Sequence, residues 1–187
     1  MPGSTISPAV TYARKTYTVA LSVEVDYLLC CGVFLLRITS YISNMSNNDL
    51  ERFIEAQNSP CNGYKQALQE IRDGRKRSHW VWYIFPQLRG LGFSYQANFY
   101  GIANREEAAR YLRHPVLGTR LREITHALLQ HRDTPPESIL GGIDALKVCS
   151  CMTLFDAISP NDLFSEVLAA FYAHDRCERT LEMLGEG

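Results

Sequence analysis

Between Arg75 and Gly92 the chain concentrates side chains that bind anions. Arg75, Lys76 and Arg77 follow one another, then come His79, Trp80, Trp82, Tyr83 and Phe85, then Gln87 and Arg89. A guanidinium grips phosphate or carboxylate through paired N–H groups, and an indole face accepts a base, a sugar or a cation. Gly90 and Gly92 would let backbone N–H groups approach an anion closely. Arg120 and Lys147 add charge if the fold brings them to the same place. The ligand-binding candidates are therefore Arg75, Arg77, Trp80, Trp82, Gln87, Arg89, Arg120 and Lys147, with His79 as the candidate general base. The competing reading is architectural. Aromatic stripes are usually core, a basic triplet after a helix is often a solvated end, and a histidine more often bonds a backbone carbonyl than a substrate.

Other chemistry is weaker. Cys149-x-Cys151 with His174-x-x-Cys177 offers four soft metal ligands on paper. Residues two apart on a helix point about 200° apart, so Cys149 and Cys151 cannot share an ion unless that segment is a loop. No metal is expected. Ser150 has no base beside it in sequence. The chain carries no phosphate-binding P-loop, no G-x-S-x-G and no H-E-x-x-H, and it offers no cofactor signature.

The chemistry must be carried by a fold of ordinary composition. Of 187 residues, 46% are hydrophobic and 21% charged, and the formal net charge is -1. Such a chain has a real core, and its overall charge gives no case for nucleic acid or acidic membranes, so any basic site is local. The six cysteines are scattered, as suits reduced thiols in a cytoplasmic or nuclear setting. Residues 1–44 read differently. Tyr27 to Leu36 is almost wholly apolar but is closed by Glu24 and Asp26 on one side and Arg37 on the other. That is short of the roughly 20 residues of a membrane span, and the flanks are wrong for a signal peptide. An extension outside the fold is expected at 1–44, with a single helical domain over 45–187. A targeting or anchoring segment is the alternative for the extension.

Helical patterns follow. Asn47 or Asn48 caps a helix through Gln57, striped by Leu50, Phe53 and Ile54. Tyr64, Ala67, Leu68 and Ile71 stripe a second, which Gly74 stops. Ser78 to Pro86 fits a buried strand or a helix by periodicity, without an alternating partner strand nearby. Gln87 to Gly92 reads as a loop. Asn104 caps a helix with Glu107 in capping-box position, and Pro115 ends it, with His114 as a cap-like or surface residue. Leu117, Leu121, Ile124, Leu128 and Leu129 stripe the next. Thr134 to Leu140 is a short helix ended by Gly141 and Gly142. A further helix runs from Leu146 to Ile158 on Leu146, Val148, Met152 and Phe155. Asn161 caps one carrying Leu163, Phe164, Val167, Leu168 and Phe171, and a last turn falls at Thr180 to Leu184. The pattern predicts an all-α, compact multihelical single domain with short connections.

Several segments resemble the domain-of-unknown-function 1810 family. They are Asp49 to Gln57, Gly74-Arg-Lys-Arg-Ser-His-Trp-Val-Trp-Tyr-Ile-Phe-Pro-Gln-Leu-Arg-Gly-Leu-Gly92, Tyr100-Gly-Ile, His114 to Leu121 and Met152 to Phe155. The likeness covers residues 48–184 and implies a compact multihelical fold, with no activity or catalytic residues to carry over. Where members look like Lys-x-Arg-Ser-Ser-Met-Thr-Leu-Phe, this chain has Lys147-Val-Cys-Ser-Cys-Met-Thr-Leu-Phe155. Cys149 and Cys151 are thus departures from the family pattern. Two functions are expected on these grounds: binding or acting on a small anionic molecule through Arg75 to Gly92, or a non-enzymatic protein–protein interaction module.

Overall fold

The computed structural model describes residues 49–185. The expected extension at 1–44 and the caps at Asn47 or Asn48 lie outside them. The described residues form helices, with one isolated parallel bridge between Leu88 and Ile102 and no strand. The helices are α1 (49–58), α2 (Tyr64–Arg72), α3 (Val81–Ile84), α4 (Tyr95–Phe99), α5 (Arg105–Arg113), α6 (Leu117–Leu129), α7 (Pro136–Leu140), α8 (Gly142–Ile158), α9 (Leu163–Tyr172) and α10 (Glu178–Leu184). No helix among the described residues is long and apolar enough to cross a membrane.

α8 is the centre of the array, packed against α3, α5, α7, α9 and α10. Every residue from Ser150 to Asp156 is buried, so this half of the helix is covered on all sides, as in the middle of a core. Its first turns differ. Leu146 is 71% exposed, and Ile143 beside it is also exposed, so the expected stripe starts two residues later, at Val148. The reason lies in the helical face. Gly141, at φ 83°, closes α7 and starts α8 at Gly142. Ala145 and Val148 face the core, whereas Ile143 and Leu146 share the opposite face, Leu146 lying about 200° around the helix from Val148.

Local chemistry sets most other ends. Gly74, at φ 70°, ends α2 and donates its N–H to Ile71 O at 2.9 Å. Asn104 Oδ1 accepts Glu107 N at 2.9 Å, which caps α5. The Glu107 carboxylate does not reach back to Asn104. It accepts from Ala103 N at 2.6 Å and from Arg52 Nη2 at 2.6 Å, and so ties α1 to α5. His114 Nδ1 accepts Val116 N and Leu117 N at 3.2 and 3.3 Å, a cap for the start of α6. For α9 the capping residue is Asp162, whose Oδ1 accepts Leu163 N at 2.7 Å, one position beyond the expected Asn161.

The stretch from Ser78 to Pro86 is the single turn α3, running into an extended passage held by Leu88–Ile102. Arg89 N donates to Ile102 O at 2.8 Å, and Ile102 N to Gln87 O at 2.9 Å. Such close approach requires glycine at 101. A Cβ there would lie 2.6 Å from Arg89 Cα and 2.8 Å from Ala97 O, both on backbone that cannot step aside. Gly101→Ala should therefore lower stability by about 2 kcal/mol through overpacking. The check is the urea midpoint, which should fall at unchanged m-value; an unaltered midpoint would contradict this account of the bridge.

Candidate functional site

After Gly74 the chain runs without regular structure and bends at Ser78 and His79, and burial alternates along it. Arg75, Arg77 and His79 are exposed, whereas Lys76 and Ser78 are half-buried and Trp80 is fully buried. What pulls the inner row down is Glu70, a buried carboxylate on α2. Its Oε2 accepts Arg77 N at 2.8 Å, Ser78 N at 3.1 Å and Trp80 Nε1 at 2.8 Å. Its Oε1 accepts Ser78 Oγ at 2.6 Å and Gln66 Nε2 at 3.0 Å. Burial alone would raise the pKa of this group. The bonds from Arg77 N, Ser78 and Trp80 outweigh it and hold the carboxyl at about 2.

Trp80 is a correction to the expected ligand face. Its indole is 0% exposed, bonded to Glu70 and covered by Lys76 Nζ at 5.2 Å from the ring. Trp82 is half-buried, and Lys147 Nζ stands over its ring at 4.7 Å. Lys147 and Lys76 each place Nζ 2.7 Å from an oxygen of Asp144, at the start of α8. Burial raises the Asp144 pKa, but the two ammonium groups prevail and lower it. Lys147 is thus committed to an ion pair within α8 and to the Trp82 ring, while Lys76 fastens the 75–80 segment to α8 through the same aspartate.

The remaining candidates lie apart. Arg77 pairs with Asp73 at 3.0 Å on the surface. Gln87 is buried and its carbonyl serves the Ile102 bridge. Arg89 is exposed, with Nη2 3.3 Å from Gly101 O. Arg120 lies over the Tyr64 ring at 5.0 Å and donates to Gln57 Oε1 and Asn58 Oδ1 at 3.3 and 2.9 Å. The carbonyl of His79 accepts from Tyr83 Oη at 3.1 Å, and its side chain is exposed. A depression of about 350 Å³ lies between α2 and α6, lined by Arg72, Glu123, His126, Ala127, Gln130 and His131, none of them from the 75–92 segment.

Of the metal ligands considered above, Cys149 and Cys151 have different surroundings on α8. Cys151 is buried within α8 while Cys149 faces Asp175 at the loop before α10, and no cluster of three or more ligating side chains is found among the described residues.

One surface escaped sequence reading altogether. Beyond Gly92, Phe93 is 95% exposed and Tyr95 73% exposed. Tyr95 stacks on Phe99 with centroids 5.6 Å apart and planes 12° apart, and Phe99 meets Tyr100 edge-on at 4.9 Å. Tyr100 in turn touches Phe53 and Tyr83. The aromatic ledge is therefore braced from the core outward. Met183 of α10 approaches Gly90, earlier in the chain, with Cε 3.6 Å from where a Cβ would stand.

Residues 47–184 match the family model described as protein of unknown function DUF1810. The chain belongs to this family. The crystal structure of the conserved hypothetical protein Rv1873 from Mycobacterium tuberculosis is similar to it, with 46% sequence identity and a TM-score of 0.70. The likeness covers 73% of this chain and 96% of that one. No curated protein matches the chain.

In this DUF1810 protein, Glu70 was missed because its donors come from the next segment rather than from its own helix face. The folded pKa of about 2 lies below the ordinary 4.5. Its contribution is therefore complete above about pH 4.5 and lost as pH falls toward 2, and it amounts to about 3 kcal/mol. Glu70→Gln should remove about that much at neutral pH and flatten stability between pH 4.5 and 2. Chemical denaturation at several pH values checks this; a wild-type slope preserved in the variant would place the acid sensitivity elsewhere.

Proposed function

We propose that this DUF1810 protein is a protein-interaction module that docks a partner on the aromatic ledge of Phe93, Tyr95 and Phe99. The observation that carries this reading is the exposure of Tyr95 on a braced stack with Phe99, with Phe93 exposed beside it in the chain. Exposed apolar clusters rimmed by polar groups mark binding surfaces, and aromatic side chains with arginine dominate the energetics of protein interfaces. Arg89 supplies the rim cation, its guanidinium lying beside Gly101 next to the stack. The partner that fits is a segment offering apolar side chains for the rings and a carboxylate for Arg89.

The dispersal of the cations favours this reading over a small anionic ligand. Lys147, Arg77 and Arg120 each hold a partner within the chain. One observation still supports the ligand reading: Arg75, Arg77 and His79 form an outward row. A nucleotide or sugar phosphate that raises Tm, with the shift abolished in Arg75→Ala/Arg77→Ala, would favour that row instead.

Comparative affinity capture tests the ledge. Phe93→Ser/Tyr95→Ser should leave the fold within about 0.5 kcal/mol of wild type, as expected for surface positions. It should weaken the captured partner's binding by roughly 30-fold or more once that partner is purified and titrated. Arg75→Ala/Arg77→Ala should leave the same binding intact. Identical capture by wild type and the ledge variant would overturn the proposal.

A further inference from the structure

Cys149 and Cys177 lie far apart in sequence but meet where α10 begins against α8. The Thr153 hydroxyl bridges their backbones, donating to Cys149 O at 2.9 Å and accepting Cys177 N at 2.9 Å. Their sulfurs turn toward the same seam. Cys149 Sγ lies 3.8 Å from Asp175 O, and Ser150 Oγ donates to Cys177 Sγ at 3.2 Å. Both side chains are partly exposed, whereas Cys151 is buried in α8 and Cys61 lies on the surface between α1 and α2. α10 buries only Thr180 fully, so it is lightly anchored.

We propose that Cys149 and Cys177 form a thiol–disulfide switch that fastens α10 to α8 under oxidation by a low-molecular-weight disulfide such as glutathione disulfide. The Cys177 thiolate attacks one sulfur of the oxidant. The oxidant's S–S bond breaks, a glutathione thiolate leaves, and a mixed disulfide stands on Cys177. The Cys149 thiolate then attacks Cys177 Sγ, the mixed disulfide breaks, and a second glutathione thiolate leaves. Two protein thiols are oxidised, one disulfide is reduced to two thiols, and the protons released by Cys177 and Cys149 pass to the departing thiolates through solvent. Burial raises the Cys149 thiol to about 11, so it suits the resolving step, in which proximity within the chain offsets a small thiolate fraction. The bond pins α10, and with it Met183 at the edge of Gly90. The switch stands independently of the ledge reading.

Peptide mapping of the full native chain incubated with glutathione disulfide tests this. The expected product joins the Cys149 and Cys177 peptides with loss of two hydrogens, while Cys61 carries glutathione. In Cys149→Ser, Cys177 should retain glutathione as a trapped mixed disulfide. Cleavage by trypsin after Arg179 should slow at least several-fold in the oxidised wild type and be unchanged by the same treatment of Cys149→Ser. Wild type ending with a free Cys149 and glutathione on Cys177 would overturn the proposal. So would either cysteine joined instead to Cys30, Cys31 or Cys61.

Discussion

The carboxylate of Glu70, buried at the end of α2, gathers two backbone N–H groups, a hydroxyl, an amide and an indole N–H around its two oxygens. Taking a carboxylate out of water costs several kcal/mol, and only a full set of donors offsets it. Those donors belong mostly to residues 77–80, so satisfying the charge dictates the path of that segment. The chain must leave α2 at Gly74, turn Ser78 and Trp80 inward and leave Arg75, Arg77 and His79 facing solvent. Once Trp80 is drawn in, Trp82 and Lys76 come within reach of α8, where Asp144 and Lys147 complete the attachment.

The same constraint explains why a segment so rich in cations and indoles does not gather into a pocket. Lys76 and Lys147 neutralise one aspartate, Trp80 is a hydrogen-bonded core residue, and Arg120 stacks on Tyr64 near the other end of α2. The chemistry legible as ligand-binding is to this extent the chemistry of joining helices. Apolar surface left uncovered collects elsewhere, on the ledge after Gly92 and on the first turn of α8.

Much of the helical framework was readable because its signals are local. Gly74 supplies the positive φ that ends a helix, Asn104 caps the next, and the stripe of Leu117, Leu121, Ile124 and Leu128 is buried as its spacing requires. Readings that depended on distant contacts fared differently. Leu146 reads as one stripe with Val148, Met152 and Phe155, yet it lies on the opposite face of α8 from those three and stays in solvent. Glu107 fits a capping box, yet Arg52 of α1 competes for its carboxylate and Ala103 N takes the other oxygen. The ledge was missed because Tyr95 and Phe99 face outward, so no apolar stripe marks α4, and the glycines before it read as loop. Glu70 lay on an otherwise ordinary amphipathic helix, and nothing local distinguishes a solvated glutamate from one that will meet the next segment.

The ionised Glu70 carboxylate holds Trp80 and the 75–80 segment in place. The most direct measurement is the pH dependence of the Trp80 indole N–H signal by NMR, alongside that of Trp82. The Trp80 proton should exchange slowly, and its shift should remain constant until pH falls toward about 2, where Glu70 protonates. An indole proton at Trp80 that exchanges as fast as that of Trp82, or a shift that titrates in the ordinary carboxylate range, would contradict the account.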